Sequence, residues 1–200
     1  QDILVPLEGV MNGHHNKEKK DKMRLIEQLK DGVPLLVQDN ELSPNLKKNY
    51  SVGDLITGYG VSEAVVHFYN IYGGNIKNKK VIIQGWGNVA GAAAYYPSQS
   101  GAKVVGIIDI VGGVINREGF TNEEIKSLLE KRESNYLQTD NILSFEEINK
   151  KIWSIGAEIF IPAAASRILS QDQLNKMIEN KLEVISCGAN VPFADKEIFF

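Results

Sequence analysis

The segment KKVIIQGWGNVAGAAAYYPSQSGAKVVGIID, Lys79 to Asp109, constrains the fold more than any other part of the chain. A short β-branched run breaks into glycines, passes through an alanine-rich stretch and returns to a second β-branched run. Strand, helix and strand within about 30 residues form a βαβ unit. Both apolar runs are continuous rather than alternating, as strands covered on two faces require, so the sheet is expected to be mostly parallel. Gly85, Gly87 and Ala90 occupy the G-x-G-x-x-G/A positions at the strand-to-helix turn, with Gly91 behind them. In that pattern the first glycine permits the tight turn and the second lets a diphosphate come up to the backbone. The small third residue lets the helix lie close to the strand, its N-terminal N–H groups facing the anion. Asp109 follows Ala90 by 19 residues and ends the second strand. A carboxylate there accepts hydrogen bonds from ribose hydroxyls and repels a 2′-phosphate, which predicts NAD in preference to NADP. Trp86, between the glycines, is expected to pack over the cleft edge.

The alternation continues beyond Asp109. IVGGVINREGF reads as a small loop or hairpin, and helices follow at TNEEIKSLLEKRES, capped by Thr121, and at SFEEINKKIWS, capped by Ser144. AEIFIPAAA is a third strand, SQDQLNKMIENK a helix capped by Ser170, and LEVISCGAN a fourth strand. Upstream, GVSEAVVHFYNIYGG places Val61, Ala64, Val65, Phe68 and Ile71 at helical intervals before paired glycines. The fold class is therefore α/β, a Rossmann-type doubly wound and mostly parallel sheet. Residues 51–200 form the dinucleotide-binding domain. Residues 1–50 differ in texture, being polar and turn-rich around one amphipathic helix, KDKMRLIEQLKDG, and read as a linker or a remnant of a preceding domain. The chain opens without Met and stops at KEIFF, where a helix reads as beginning, so both ends are expected to be cut.

Two further strand ends, IPAAASRI and SCGANVPF, bring small residues to the carboxyl edge of the sheet, where open α/β sheets hold ligand. Together with QGWGNVAGAAA they are expected to converge on one cleft. Amides at Asn88 and Asn190 and the hydroxyl of Thr57 are suited to a nicotinamide carboxamide, whereas an asparagine in a turn also satisfies its own backbone.

TGYGV, QGWGNVAGAAA, GAKVVGIID, IPAAA and GANVP occur in the order and spacing of the glutamate, leucine, phenylalanine and valine dehydrogenases, and the chain resembles that family from Thr57 onward. The resemblance implies a nicotinamide cofactor and reversible oxidative deamination of an L-amino acid to a 2-oxo acid and ammonium. It implies a cofactor site built from Thr57, Gly85, Gly87, Asn88, Val89, Asp109, Ala163, Ala164 and Asn190, with Thr57, Asn88 and Asn190 toward the nicotinamide. It also implies a homo-oligomer, and a catalytic lysine and aspartate on a substrate domain. No glycine-flanked lysine of that kind occurs in residues 1–50, so no catalytic residue is expected in this chain, which should be inactive alone. The alternative is a non-catalytic dinucleotide-binding regulatory module.

Composition narrows the other classes. Net charge is −3, with 22 basic and 25 acidic residues interleaved, so nucleic acid is not expected as a partner. No apolar run reaches the roughly 20 residues of a membrane helix, and one cysteine excludes an internal disulfide framework, so a cytoplasmic protein is expected. No metal site is expected either. Adjacent His14 and His15 point to opposite sides of a solvated loop, His67 reads as a packed or surface helix residue, and Cys187 as an inert buried thiol.

Overall fold

The computed structural model describes residues 19–37, 42 and 49–199; His14 and His15 lie outside them. The chain divides into two units, Gln1–Gly53 and Asp54–Phe200. In the first, helix α1 (Lys19–Gly32) stops at its glycine, and a short ladder follows. Val37 N–H donates to Tyr50 O and Val52 N–H to Leu35 O, each at 2.8 Å.

The β-branched runs of the second unit become strands β1 (Lys80–Gln84), β2 (Lys103–Asp109), β4 (Ile159–Pro162) and β5 (Val184–Ile185), with β3 (Gly112–Phe120) between β2 and β4 in sequence. The sheet order is β3-β2-β1-β4-β5. All pairs are parallel except β2 with β3, so IVGGVINREGF is a hairpin whose two-residue turn is Ile110–Val111. Four of the five residues of β1 and all of β4 are buried, as continuous apolar runs require.

Helices α2 (Val52–Tyr72), α3 (Asn88–Gln99), α4 (Asn122–Lys131), α5 (Phe145–Lys151) and α6 (Gln171–Glu179) complete the unit. α3 lies against β1, β2 and β4, while α5 and α6 bury Ile148, Leu174 and Met177 in a core with Ile82, Val105 and Phe160. The three expected caps are all present as capping boxes, Thr121 with Glu124, Ser144 with Glu147 and Ser170 with Gln173. Each satisfies two otherwise orphaned backbone N–H groups and contributes about 1 kcal/mol.

α2 departs from expectation. It begins two turns before Gly60 and runs through Gly58, and its buried stripe is Leu55, Gly58, Val61, Ser62, Val65 and Tyr69. Ile71, expected on that stripe, is 74% exposed, and His67 is a surface residue. Glycine is tolerated in mid-helix because α2 and α3 touch there: a Cβ on Gly58 would lie 2.5 Å from Ala92 Cβ.

Candidate functional site

From β1 the chain steps through α3 to β2 on one side of the sheet, and later returns to β4 on the other. The carboxyl ends of β1 and β4 therefore flank the topological switch point, where strand directions leave a crevice. A cavity of about 640 Å³ opens there, within the range of small-molecule sites. Gly85, Gly87, Asp109, Ala163 and Ala164 line it. Five of the nine residues expected to form the site are thus brought together.

The turn is tied to both neighbouring strands, since Gly85 N–H donates to Ile108 O at 2.7 Å and Ala163 N–H to Gln84 O at 2.8 Å. Gly85 sits at φ +99°, and a Cβ there would come within 2.7 Å of Ala163 O. Both constraints demand glycine. Gly87 differs: nothing lies within 4 Å of its would-be Cβ, and as N-cap of α3 it offers no capping side chain. The first N–H groups of α3 thus lack the partner a Ser or Asp cap would supply. Ala90 is fully buried as expected, whereas Gly91 faces α4 rather than the strand, its would-be Cβ 2.7 Å from Leu129 Cδ2.

Asp109 Oδ2 accepts the Leu137 N–H at 3.0 Å, which fixes the carboxylate at the cavity wall. Asn88 turns away from the cavity. Its Nδ2 donates to Asp54 Oδ1 at 2.7 Å and its Oδ1 accepts from Arg132 Nη2 at 2.8 Å. Val89 packs behind the turn toward Gly188. Thr57 is exposed on α2, and Asn190 lines a second cavity of about 310 Å³ with Arg167 and Cys187; neither lines the larger one. Cys187 is exposed rather than buried, because the strand β5 ends two residues earlier, yet desolvation around its sulfur pushes the thiol up. Among the described residues no group of three or more His, Cys, Asp or Glu is placed to hold a metal, and no helix is long and apolar enough to cross a membrane.

Gln84 and Arg132 were not expected at the site, and Trp86 takes a different place there from the expected one. Trp86 is fully buried at the cavity wall instead of lying over its edge. Its Nε1 and the Oε1 of neighbouring Gln84 are buried without a partner among the described residues. Arg132, 6% exposed, reaches the Trp86 carbonyl as well as Asn88. Its position after a helix carries no local signal; only the third dimension reveals it.

A mostly parallel, doubly wound sheet with a glycine turn and a cavity at its switch point defines a protein of the open α/β, Rossmann-type class. Within that class the chain belongs to the Glutamate/Leucine/Phenylalanine/Valine dehydrogenase family, whose model matches residues 52–198. It is 32% identical over 140 residues to the NADP-specific glutamate dehydrogenase of Saccharolobus shibatae, covering 68% of this chain and 31% of that protein. It is 30% identical over 162 residues to the NADP(+)-dependent glutamate dehydrogenase of Pyrobaculum calidifontis, covering 80% and 37%. A solved glutamate dehydrogenase superposes with a TM-score of 0.62 at 26% identity, over 74% of this chain and 34% of that one. The chain spans about a third of the length of the curated relatives it matches.

Proposed function

We propose that this chain is the dinucleotide-binding part of an L-amino-acid dehydrogenase that converts its substrate reversibly to a 2-oxo acid and ammonium. Family membership supports the reaction class. The single observation that carries the cofactor reading is the turn: open space over Gly87 beside an α3 N-terminus without a side-chain cap. A diphosphate fits that space, held by backbone N–H groups at the positive end of the helix.

In this reading Gly85 keeps the turn tight, and Ala163 and Ala164 keep the β4 end thin enough for a ligand to pass. Asp109 holds the adenosine ribose, Asn88 and Val89 brace the turn from behind, and Thr57 and Asn190 serve the nicotinamide end. When bound, the nicotinamide ring supplies hydride acceptance; the lysine and aspartate that would handle the proton and carbonyl oxygen are not in this chain, which alone turns over no substrate.

NAD is favoured over NADP because a 2′-phosphate would meet Asp109, and among the described residues no lysine or arginine lines the cavity to offset that repulsion. Both relatives named above carry NADP in their names, so selectivity is the sharpest test. Calorimetric titration should give an NADH affinity at least about tenfold above that for NADPH, a gap that narrows in Asp109→Ala. Equal affinities in the parent would overturn the selectivity, and no binding of either cofactor would overturn the dinucleotide reading.

A further inference from the structure

One side chain on the cavity wall is oriented more strictly than packing requires. Asn149, on α5, lines the cavity, and its Oδ1 accepts from Trp153 Nε1 at 2.9 Å and from Gln173 Nε2 at 3.1 Å. An indole N–H only donates, so the Asn149 atom facing it must be oxygen. Gln173 is fixed in the same way. Its Oε1 accepts the Ser170 N–H at 2.9 Å in the capping box, which leaves its NH₂ for Asn149. The acceptor capacity of the Asn149 amide is therefore used inside the protein, while its Nδ2 donors have no protein partner among the described residues.

The surrounding wall is apolar and open. Ile110, Phe145 and Ile168 line the same cavity and remain 72%, 46% and 41% exposed. Large apolar side chains left in water around a concave site mark a binding surface. A ligand that satisfies both features has flat apolar faces and a hydrogen-bond acceptor on its edge. We infer that the purine ring of the dinucleotide lies between these apolar side chains and that Asn149 Nδ2 donates to one of its unprotonated ring nitrogens, making Asn149 a base-reading residue. This rests on the dinucleotide reading above.

Asn149→Asp keeps an acceptor for Trp153 and Gln173 and replaces the NH₂ by a second oxygen, so the wall is retained and the donor lost. The experiment titrates the parent chain and the variant, by calorimetry, with ADP and with three ADP analogues in which the purine N1, N3 or N7 is replaced by CH. One analogue should bind the parent about tenfold more weakly than ADP, the worth of one hydrogen bond. In Asn149→Asp, ADP should weaken by at least about tenfold and bind no better than that analogue. Equal binding of all four by the parent, or the same analogue penalty persisting in the variant, overturns the role of Asn149 while leaving the dinucleotide reading in place. A parent that binds none of the four overturns both. Asn149→Ala, which removes donor and acceptor together, supplies the second arm if the aspartate variant does not fold, with the same two outcomes.

Discussion

Arg132 Nη2 donates to Asn88 Oδ1 at 2.8 Å, and through that one amide a buried guanidinium is linked to the Asp54 carboxylate, 2.7 Å from Asn88 Nδ2. Arg132 Nη1 also lies 3.5 Å from Trp86 O, so the cation sits beside the first turn of α3. A positive charge there opposes the helix macrodipole, whose positive end is the N-terminus. Held in place by the network it shares with Asp54, the guanidinium is a fixed positive charge beside the space where an anion would arrive. Arg132→Met should lower NADH affinity about tenfold and flatten the fall of affinity with salt. It should also lower the unfolding free energy by about 2–3 kcal/mol, because charged hydrogen bonds are lost in a buried setting. Arg132→Lys keeps the charge without the planar fork, so it should restore the salt dependence but not the stability. Titrations at low and high ionic strength with urea unfolding check both; an unchanged salt slope in Arg132→Met would sink the electrostatic part.

The two glycines of the turn should respond oppositely to the same change. Gly85→Ala forces a side chain into φ +99° and against Ala163 O at 2.7 Å, so it should destabilise the fold by at least about 2 kcal/mol. Gly87→Ala meets nothing within 4 Å, so the melting temperature should stay within a few degrees of the parent while NADH affinity drops about tenfold or more. Thermal melts alongside NADH titration separate the two. A Gly87→Ala protein that binds like the parent would remove the diphosphate from that space.

Helix α2 offers a second matched pair. Alanine outranks glycine in helix interiors by about 1 kcal/mol, yet a Cβ on Gly58 would lie 2.5 Å from Ala92 Cβ. Gly58→Ala should therefore destabilise by about 1–3 kcal/mol through overpacking, despite its better propensity. Gly60 has nothing within 4 Å of its would-be Cβ, and Gly60→Ala should stabilise by about 0.5–1 kcal/mol. Urea midpoints of the two variants decide the matter; a stable Gly58→Ala would mean that α2 and α3 do not approach as closely as described.

What could be read from the chain follows from the range of each signal. Thr121, Ser144 and Ser170 reveal their helices because a cap and its partner stand three residues apart, and all three boxes form. The strand runs are legible because β1 and β4 are buried on both faces and so carry no polar residue until their ends. The first two turns of α2 lie outside the segment read as helical because glycine is a poor helix former, although Gly58 records a helix crossing. Arg132 and Asn149 were invisible for a different reason. Arg132 acts 44 positions away from Asn88, and Asn149 is oriented by Gln173, 24 positions on, and no local pattern encodes such distances.

At the opposite end of the sheet, Tyr69 Oη donates to Glu183 Oε2 at 2.8 Å, and Lys79 Nζ donates to both Glu183 oxygens at 2.8 Å while lying 5.0 Å from the Tyr69 ring centroid. Burial pushes the Tyr69 phenol well above its ordinary value, helped by its hydrogen bond to Glu183 and by the charges of Glu183 and Glu158. Burial raises Glu183 too, but the hydrogen bonds from Lys79 and Tyr69 and the Lys79 charge outweigh it and hold the carboxyl below the usual range. A folded-state pKa raised above the unfolded value stabilises fully below the unfolded pKa, about 10 for tyrosine, and that contribution is lost as pH rises beyond it. The unfolding free energy of the parent should therefore fall relative to Tyr69→Phe by about 1.4 kcal/mol between pH 9 and 11. For Glu183 the sign reverses: its contribution is present above about pH 4.3 and lost as pH falls, so Glu183→Gln should flatten the acid limb. Urea unfolding across both ranges measures each slope. Parallel alkaline curves for parent and Tyr69→Phe would show that the phenol proton is not held by this cluster.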